Sequence, residues 1–267
     1  MNDCSSFLKR GSWQTTGLDL RNEESIPVNS IIDLHISIYS SITIYHYYGR
    51  ATMIITIANA KGGVTKTTSA IYLACAAHKD DRQVTVLDAD IQASASLWAD
   101  SASAGAPLPF PVNPANLSTF NRLQPQDQPG KENWVIVDAA PAEKIMTAAI
   151  DVSDFVIIPT SDSPMDLQQV WAMISAIPEE TPTGVLIAKA QPRTTAFHET
   201  VDALKDQGVI TLDEHMAAGT VANAMLFSTV VPLRQDVKKA LGTNPQHLYE
   251  YTDLYLETLR IKEYLGL

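Results

Sequence analysis

From residue 53 onward the chain alternates short apolar runs with longer stretches in which apolar residues recur at helical spacing. The apolar runs, rich in valine and isoleucine, fall at residues 53–58, 83–88, 134–138, 155–159, 184–189 and 209–212. The helical patterns fall at residues 66–78, 143–151, 166–177 and 194–207, with a further one in the tail at 244–265. Short buried strands that alternate with helices predict an α/β fold, a doubly wound and mostly parallel sheet flanked by helices. Residues 101–130, rich in Ser, Pro, Ala and Asn, are expected to contain a surface excursion.

The first 52 residues have a different pattern. Residues 1–30 are polar and lack a charged start followed by an apolar run, which argues against a secretion signal. Between residues 32 and 44, mostly isoleucines alternate with polar residues, and this period of two predicts a strand or hairpin. We expect residues 1–52 to be an extension outside the working domain, with Met53 as the natural start, and residues 53–267 to form one domain.

Composition and charge narrow the class of protein. The chain has 267 residues, 45% hydrophobic and 18% charged, as in an ordinary globular protein. Its formal charge of 19 − 30 = −11 argues against a protein that binds nucleic acid over its whole surface. Cys4 and Cys75 lie far apart with no CxxC motif, which argues against a disulfide framework, a zinc ribbon and a thiolate cluster and favours a reduced, cytosolic chain.

A glycine-containing loop follows the first predicted strand and leads directly into the first predicted helix. Its residues are Lys61, Gly62, Gly63, Val64, Thr65, Lys66, Thr67 and Thr68. Backbone N–H groups in such a loop, with the positive end of the helix, surround a phosphate group. Lys66 is placed to reach the β- and γ-phosphates of a nucleotide, and the Thr67 hydroxyl to bind Mg²⁺. The common GxxxxGK[ST] pattern has glycines where this chain has Ala60 and Thr65.

Two further predicted strands end in aspartates. Asp88 and Asp90 close the second strand, and Asp138 closes the third after four apolar residues. Because the carboxyl ends of parallel strands meet at one rim, these carboxylates should face the phosphate loop. A carboxylate there can orient a water for in-line attack on a γ-phosphate or hold the shell of a magnesium ion.

Together these motifs resemble the ParA/MinD family of P-loop ATPases, over residues 53 to about 224. The stretch KGGVTKTT is similar to the family's deviant Walker A motif, KGGxGKT[ST], whose signature lysine matches Lys61 and reaches across an ATP-sandwich dimer to the partner's phosphates. The resemblance implies ATP and Mg²⁺ as cofactors. It implies that Asp90 directs the attacking water, Asp88 lies beside the Mg²⁺ shell and Asp138 is the Walker B carboxylate. It also puts the segment from Lys189 near the adenine pocket and the dimer face.

Within the family the chain looks most like a small plasmid-type ParA partition ATPase. This implies an ATP-driven homodimer that binds DNA without sequence preference on the cytoplasmic nucleoid, and a ParB-like centromere-binding partner that stimulates slow hydrolysis. Residues 53–267 carry 15 Lys plus Arg against 25 Asp plus Glu, a net charge of −10, so DNA contacts must come from a local cluster. The candidates are Arg193, Arg234, Lys238 and Lys239, with Lys205 as a further one. An ordinary solvated helix face explains Arg234, Lys238 and Lys239 equally well.

Three alternatives stay open. A MinD-like ATPase would bind the membrane through a basic amphipathic tail helix, but here acidic residues outnumber basic ones, so we expect the tail to pack on the domain. Thr65 and Ile91, which depart from the family pattern, leave room for a nucleotide-binding scaffold without catalysis. A small-molecule kinase or synthetase with a related core would not need Lys61.

We interpret Asp166 as a carboxylate that complements a helix N-terminus.

Overall fold

The computed structural model describes residues 52–123, 132–141, 143–220 and 223–267. The alternating segment at residues 32–44 lies outside them, and the domain boundary at residue 53 stays a prediction. None of the helices in the described part combines the length and the apolar character that crossing a bilayer requires.

A parallel sheet of eight strands organises the described residues. The strands are β1 (Thr52–Ile57), β2 (Gln83–Ala89), β3 (Val112–Pro114), β4 (Asn133–Ala139), β5 (Phe155–Thr160), β6 (Thr183–Ala190), β7 (Ala224–Leu226) and β8 (Val231–Pro232). Their order is β3-β2-β4-β1-β5-β6-β7. β8 also pairs with β6, at Ala188 and Ala190, which follow the residues of β6 that pair with β7. Every pairing is parallel, as the alternation of strand and helix predicts.

Helices cover both faces of this sheet. They are α1 (Lys66–Lys79), α2 (Ser94–Ser103), α3 (Leu117–Arg122), α4 (Glu143–Asp151), α5 (Pro164–Ala176), α6 (Thr195–Asp206), α7 (Leu212–Ala218), α8 (Gln235–Lys239) and α9 (Glu250–Leu265). Successive side chains of a strand point to opposite faces. In β1, Ile55 and Ile57 therefore pack with α1, α2 and α9, whereas Ile54 packs with α4, α5 and α6. The doubly wound, mostly parallel sheet is confirmed.

One predicted strand is wrong. Residues 209–212 form no strand, because Thr211 is the N-cap of α7 and its hydroxyl accepts a hydrogen bond from the Glu214 N–H. The Glu214 carboxylate accepts the Thr211 N–H in return, and this capping box turns the backbone into a helix. The strand that follows β6 in the sheet is Ala224–Leu226 instead, and Thr211 keeps only an isolated bridge to Leu226.

Two further expectations need correction. The tail helix begins at Glu250 rather than at residue 244, although it does pack on the domain, with Tyr251 and Leu254 buried against α1. In the stretch predicted as a surface excursion, residues 112–114 form the edge strand β3, and Phe110 and Phe120 are buried in the two cores.

Candidate functional site

The phosphate loop lies at the carboxyl ends of the strands, between β1 and α1. Asn59, which is buried, anchors its start: the side-chain amide donates to the Pro159 carbonyl at 2.8 Å, and the side-chain oxygen accepts the Lys61 N–H at 2.8 Å. These two bonds tie the loop to the end of β5. Sequence reasoning missed Asn59, for which the signal is a polar residue directly after a buried strand.

Lys66 turns back toward its own loop. Its Nζ donates to the Lys61 carbonyl at 2.7 Å, and only 7% of the residue is exposed. Burial lowers the pKa of Lys66, and the nearby Asp138 and Asp90 carboxylates oppose that shift. The loop thus holds one buried cation near two acidic groups, and a cation at this position is what binding of a phosphate uses.

Thr67 and Asp138 meet as the Walker arrangement predicts. The Thr67 hydroxyl donates to Asp138 Oδ2 at 2.6 Å, across 71 residues of sequence. Burial raises the pKa of Asp138 to about 7, although the Thr67 hydrogen bond and Lys66 work against the shift. A hydroxyl and a carboxylate side by side are oxygen ligands of the kind that Mg²⁺ prefers, so these residues fit the predicted ion.

Asp88 and Asp90 have different surroundings. Asp88 is buried, and its Oδ2 accepts hydrogen bonds from the Ser96 N–H and hydroxyl, both at 2.7 Å. This anchors the first turn of α2. Asp90 is partly exposed and lines the cavity at the loop. The structure therefore leaves Asp90 accessible to a water, while Asp88 holds α2; the metal role predicted for Asp88 stays a prediction.

The signature position Lys61 forms an ion pair within the chain. Its Nζ contacts Asp166 Oδ1, whose other oxygen accepts the Ser161 hydroxyl at 2.7 Å. Burial opposes ionisation of Asp166, but the hydrogen bonds from Lys61 and Ser161 outweigh it and lower its pKa. The Lys61 side chain is nevertheless 47% exposed. Asp166 lies in the first turn of α5, as predicted, and in addition holds Lys61 at the rim of the site.

A cavity of about 560 Å³ lies at the phosphate loop. It is lined by Gly62, Gly63, Thr65, Lys66, Thr67, Thr68, Asp90, Ile91, Gln92, Ser94, Ala140, Pro141 and Lys189. Lys189, at the end of β6, donates from Nζ to the Gly63 carbonyl at 2.5 Å. The cavity thus brings together most of the predicted loop residues, the predicted water-directing carboxylate and a lysine from the segment predicted near the adenine.

The basic residues predicted for DNA have unequal surroundings. Arg234 is the N-cap of α8, pairs with Glu250 and lies 4.8 Å above the Tyr249 ring. Lys205 pairs with Glu214 at 2.5 Å. Arg193, Lys238 and Lys239 are exposed, and no ion pair within the described ranges involves them.

Comparison with known proteins gives the family. The model of the CobQ/CobB/MinD/ParA nucleotide binding domain matches residues 55–245. Over 165 residues the chain is 32% identical to the maintenance of carboxysome distribution protein A of Gloeobacter kilaueensis, an alignment that covers 58% of this chain and 72% of the relative.

Solved structures agree on the fold. A putative plasmid partition protein from Borrelia burgdorferi bound to AMPPNP matches with a TM-score of 0.55 at 18% identity, over 80% of this chain and 99% of that one. The pNOB8 ParA bound to nonspecific DNA matches with a TM-score of 0.51 at 12% identity, over 80% and 99%. This chain therefore belongs to the CobQ/CobB/MinD/ParA nucleotide-binding family, with a P-loop fold of ParA type, as the matched family model shows and as the phosphate loop and the contact of Thr67 with Asp138 lead one to expect.

Proposed function

We propose that this chain is a Mg²⁺-dependent ATPase that positions a cargo, as an ATP-bound homodimer that binds DNA without sequence preference. One observation carries the proposal: Lys66, Thr67 and Asp90 line one cavity. Asp138 accepts a hydrogen bond from Thr67, and the Lys61 carbonyl accepts one from Lys66. The Lys66 ammonium is buried, and the nearby Asp138 and Asp90 carboxylates favour its charged form, so a cation is held at the loop where a phosphate would bind.

Each residue has a defined task in hydrolysis. Lys66 neutralises the β- and γ-phosphates, and the backbone N–H groups of residues 61–68 cradle them. Mg²⁺, when bound, neutralises charge on the phosphates, and Thr67 and Asp138 are the residues that would hold it or its waters. Asp90, which faces the cavity, orients a water toward the γ-phosphate.

Dimerisation is the step that would engage Lys61. Its exposed ammonium is held by Asp166 and has to leave that carboxylate to reach the phosphates of a second copy. Two apolar side chains next to Asp90 and Asp166 in sequence are exposed: Ile91 follows Asp90 and is 93% exposed, and Met165 precedes Asp166 and is 85% exposed. Such side chains favour burial against another protein surface, which supports a second copy here.

DNA binding would rest on predicted cations that are exposed and make no ion pair in the part of the chain that the structure describes. Among the predicted DNA contacts these are Lys238 and Lys239 in the last turn of α8, with Arg193 after β6. A protein with a net charge of −10 over residues 53–267 binds DNA only through such local positive groups, and its affinity should fall steeply with salt. Arg234 is a weaker candidate, because Glu250 already neutralises it. The pNOB8 relative named above, which binds nonspecific DNA, supports this part of the proposal.

The cargo follows from the partner rather than from the ATPase core. One hypothesis is plasmid or chromosome partition, with a ParB-like partner that would stimulate hydrolysis. The putative plasmid partition protein from Borrelia burgdorferi supports it. The relative from Gloeobacter kilaueensis is named for maintenance of carboxysome distribution and supports a carboxysome as the cargo. Both readings share the cytoplasmic, nucleoid-associated ATPase cycle proposed here.

The decisive experiment is co-sedimentation of the full chain with random-sequence plasmid DNA and, separately, with anionic vesicles. Each is run at low salt with ATP, with ADP and without nucleotide, and turnover is measured in parallel. DNA binding only with ATP supports the proposal. Vesicle binding without DNA binding would instead indicate a MinD-like membrane ATPase. Nucleotide-dependent binding without any ATP turnover would indicate a scaffold that has lost catalysis.

Matched lysine variants test the DNA surface. Lys238→Ala combined with Lys239→Ala should weaken binding uniformly across sequences and reduce the salt slope by about 2 per subunit, or about 4 for the dimer. Lys205→Ala is the control, because that lysine is paired with Glu214. An equal loss in both proteins would contradict the assignment of α8.

A further inference from the structure

The phosphate loop contains a threonine in an unfavourable backbone conformation. Thr65 precedes Lys66 and has φ 71° and ψ 15°, in the left-handed region. For a β-branched residue this conformation is a genuine outlier, and it persists only where the surroundings enforce it. Something outside the loop backbone must therefore hold Thr65.

Two buried hydroxyls connect Thr65 to the last helix. The Thr65 hydroxyl lies 3.4 Å from the Ser69 hydroxyl, one turn further along α1, and the Ser69 hydroxyl lies 3.3 Å from the Tyr251 hydroxyl. Ser69 and Tyr251 are both fully buried, and the Tyr72 ring packs on the Tyr251 ring at 4.7 Å. Burial raises the pKa of Tyr251, so its hydroxyl stays protonated and can donate. Tyr251 lies in α9, about 180 residues from the loop in sequence.

The position of the Thr65 hydroxyl has a consequence for phosphate binding. Thr65 is the N-cap of α1, and a threonine there usually has an extended backbone and accepts a hydrogen bond from an N–H of the first turn. Its side chain makes no such bond here. Those N–H groups are the ones that a phosphate at a helix N-terminus uses. A threonine that capped its own helix would compete with the nucleotide.

We infer that Tyr251, acting through Ser69, is a positioning residue that holds Thr65 in the left-handed turn and so keeps the phosphate loop open to nucleotide. This inference rests on the proposed function, because it concerns the affinity of the same site. Without the hydroxyl of Tyr251, Thr65 gains access to the extended N-cap conformation, and nucleotide has to reverse that change on binding. A glycine at position 65 has no Cβ and no hydroxyl, so it needs no such support.

A double-mutant cycle separates this role from a merely structural one. The four proteins are the wild type, Tyr251→Phe, Thr65→Gly and the double variant, each as the full chain. Isothermal titration calorimetry with ADP and with a non-hydrolysable ATP analogue, in the presence of Mg²⁺, gives the Kd of each. Tyr251→Phe should raise the Kd about three- to tenfold in the Thr65 background, the worth of one hydrogen bond, and leave it unchanged in the Thr65→Gly background.

Tyr255→Phe is the matched control on the same helix. The Tyr255 hydroxyl donates to Asp80 at 2.6 Å, and Asp80 is the C-cap of α1, at the end opposite the phosphate loop. This variant should lower the melting temperature without changing the Kd in either background. If Tyr251→Phe unfolds the chain, Ser69→Ala breaks the same connection and should give the same dependence on residue 65.

The outcomes are distinct. An equal rise in Kd in both backgrounds, no rise at all, or the same rise in Tyr255→Phe would overturn the inference while leaving the ATPase proposal intact. A folded wild-type chain that binds neither nucleotide would overturn the proposed function, and the positioning role with it.

Discussion

Asp138 offers a stability test that is independent of any activity assay. Burial raises its pKa to about 7 from an ordinary value of 3.8. The folded state therefore favours the protonated form, whereas the unfolded chain ionises this group near pH 4. Its contribution to stability is fully present below the unfolded pKa and is lost as the pH rises from about 4 to about 7, because the unfolded state then releases a proton that the folded state retains.

The magnitude follows from the shift. A difference of about 3 pKa units corresponds to a loss of about 4 kcal/mol above pH 7, and about 2–3 kcal/mol of it falls between pH 5 and pH 8. Asp138→Asn removes the titrating group and keeps an oxygen for the Thr67 hydroxyl, although Lys66 loses a counter-charge. The free energy of unfolding of the variant, relative to that of the wild type, should therefore be about 2 kcal/mol higher at pH 8 than at pH 5. This corresponds to about 5 °C in melting temperature.

The assay is thermal and urea unfolding of the nucleotide-free chain at pH 5, 6.5 and 8. Ile136→Val, an uncharged core substitution on the same strand, serves as the control and should cost about 1 kcal/mol equally at each pH. The same Asp138→Asn protein should lose Mg²⁺-dependent turnover. Parallel pH–stability curves for the wild type and Asp138→Asn would refute the reasoning, because they would mean that this carboxylate is not desolvated in the folded state.

Four further variants test separate parts of the molecule. Lys66→Ala should abolish nucleotide binding in calorimetry, because it removes the buried cation of the loop. Asp90→Ala should bind ATP and accumulate as a dimer in light scattering without turnover; hydrolysis at the wild-type rate would rule out its role. Lys61→Ala should bind ATP but stay monomeric, and an ATP-dependent dimer would contradict its action across the interface. Gly184→Ala should destabilise the fold by about 1–3 kcal/mol in urea unfolding, since its Cβ would overlap Phe227 and lie 2.9 Å from Phe155 Cζ; an unchanged midpoint would mean that this packing yields freely.

Five of the six predicted strands could be located from sequence because buried parallel strands are continuous apolar runs. β5, predicted at residues 155–159, is observed at Phe155–Thr160, and β6, predicted at 184–189, is observed at Thr183–Ala190. The sixth prediction was wrong because it rested on only two neighbouring apolar residues, Val209 and Ile210. The capping box at Thr211 begins a helix directly after them. β7 and β8 are three and two residues long, too short to carry a pattern of their own.

The candidate site was predictable to the extent that its residues adjoin strand ends. Asp138 follows directly from that rule, whereas Lys66 and Thr67 follow from the glycine-containing loop at the start of α1. The hydrogen bond between Thr67 and Asp138 agrees with the expectation that the carboxylates face the loop, and the contact of Lys66 with the Lys61 carbonyl was not predicted. The contact of Lys61 with Asp166 spans 105 residues and had no sequence signal beyond a carboxylate at a helix start. The pairing of Arg234 with Glu250 was equally hidden, because α8 and α9 had to be placed first.

The alternation of strand and helix, the phosphate loop and the family resemblance could be predicted without coordinates, because they depend on local periodicity and on residues adjacent in the chain. Which charges are available and how the loop is held depend on contacts between residues far apart in sequence. Lys61 is paired, Asp138 is desolvated, and Thr65 is linked through Ser69 to Tyr251. Burial and hydrogen bonding between distant residues arise only when the sheet brings strand ends together and α9 packs on α1, and these interactions set the chemistry of the site.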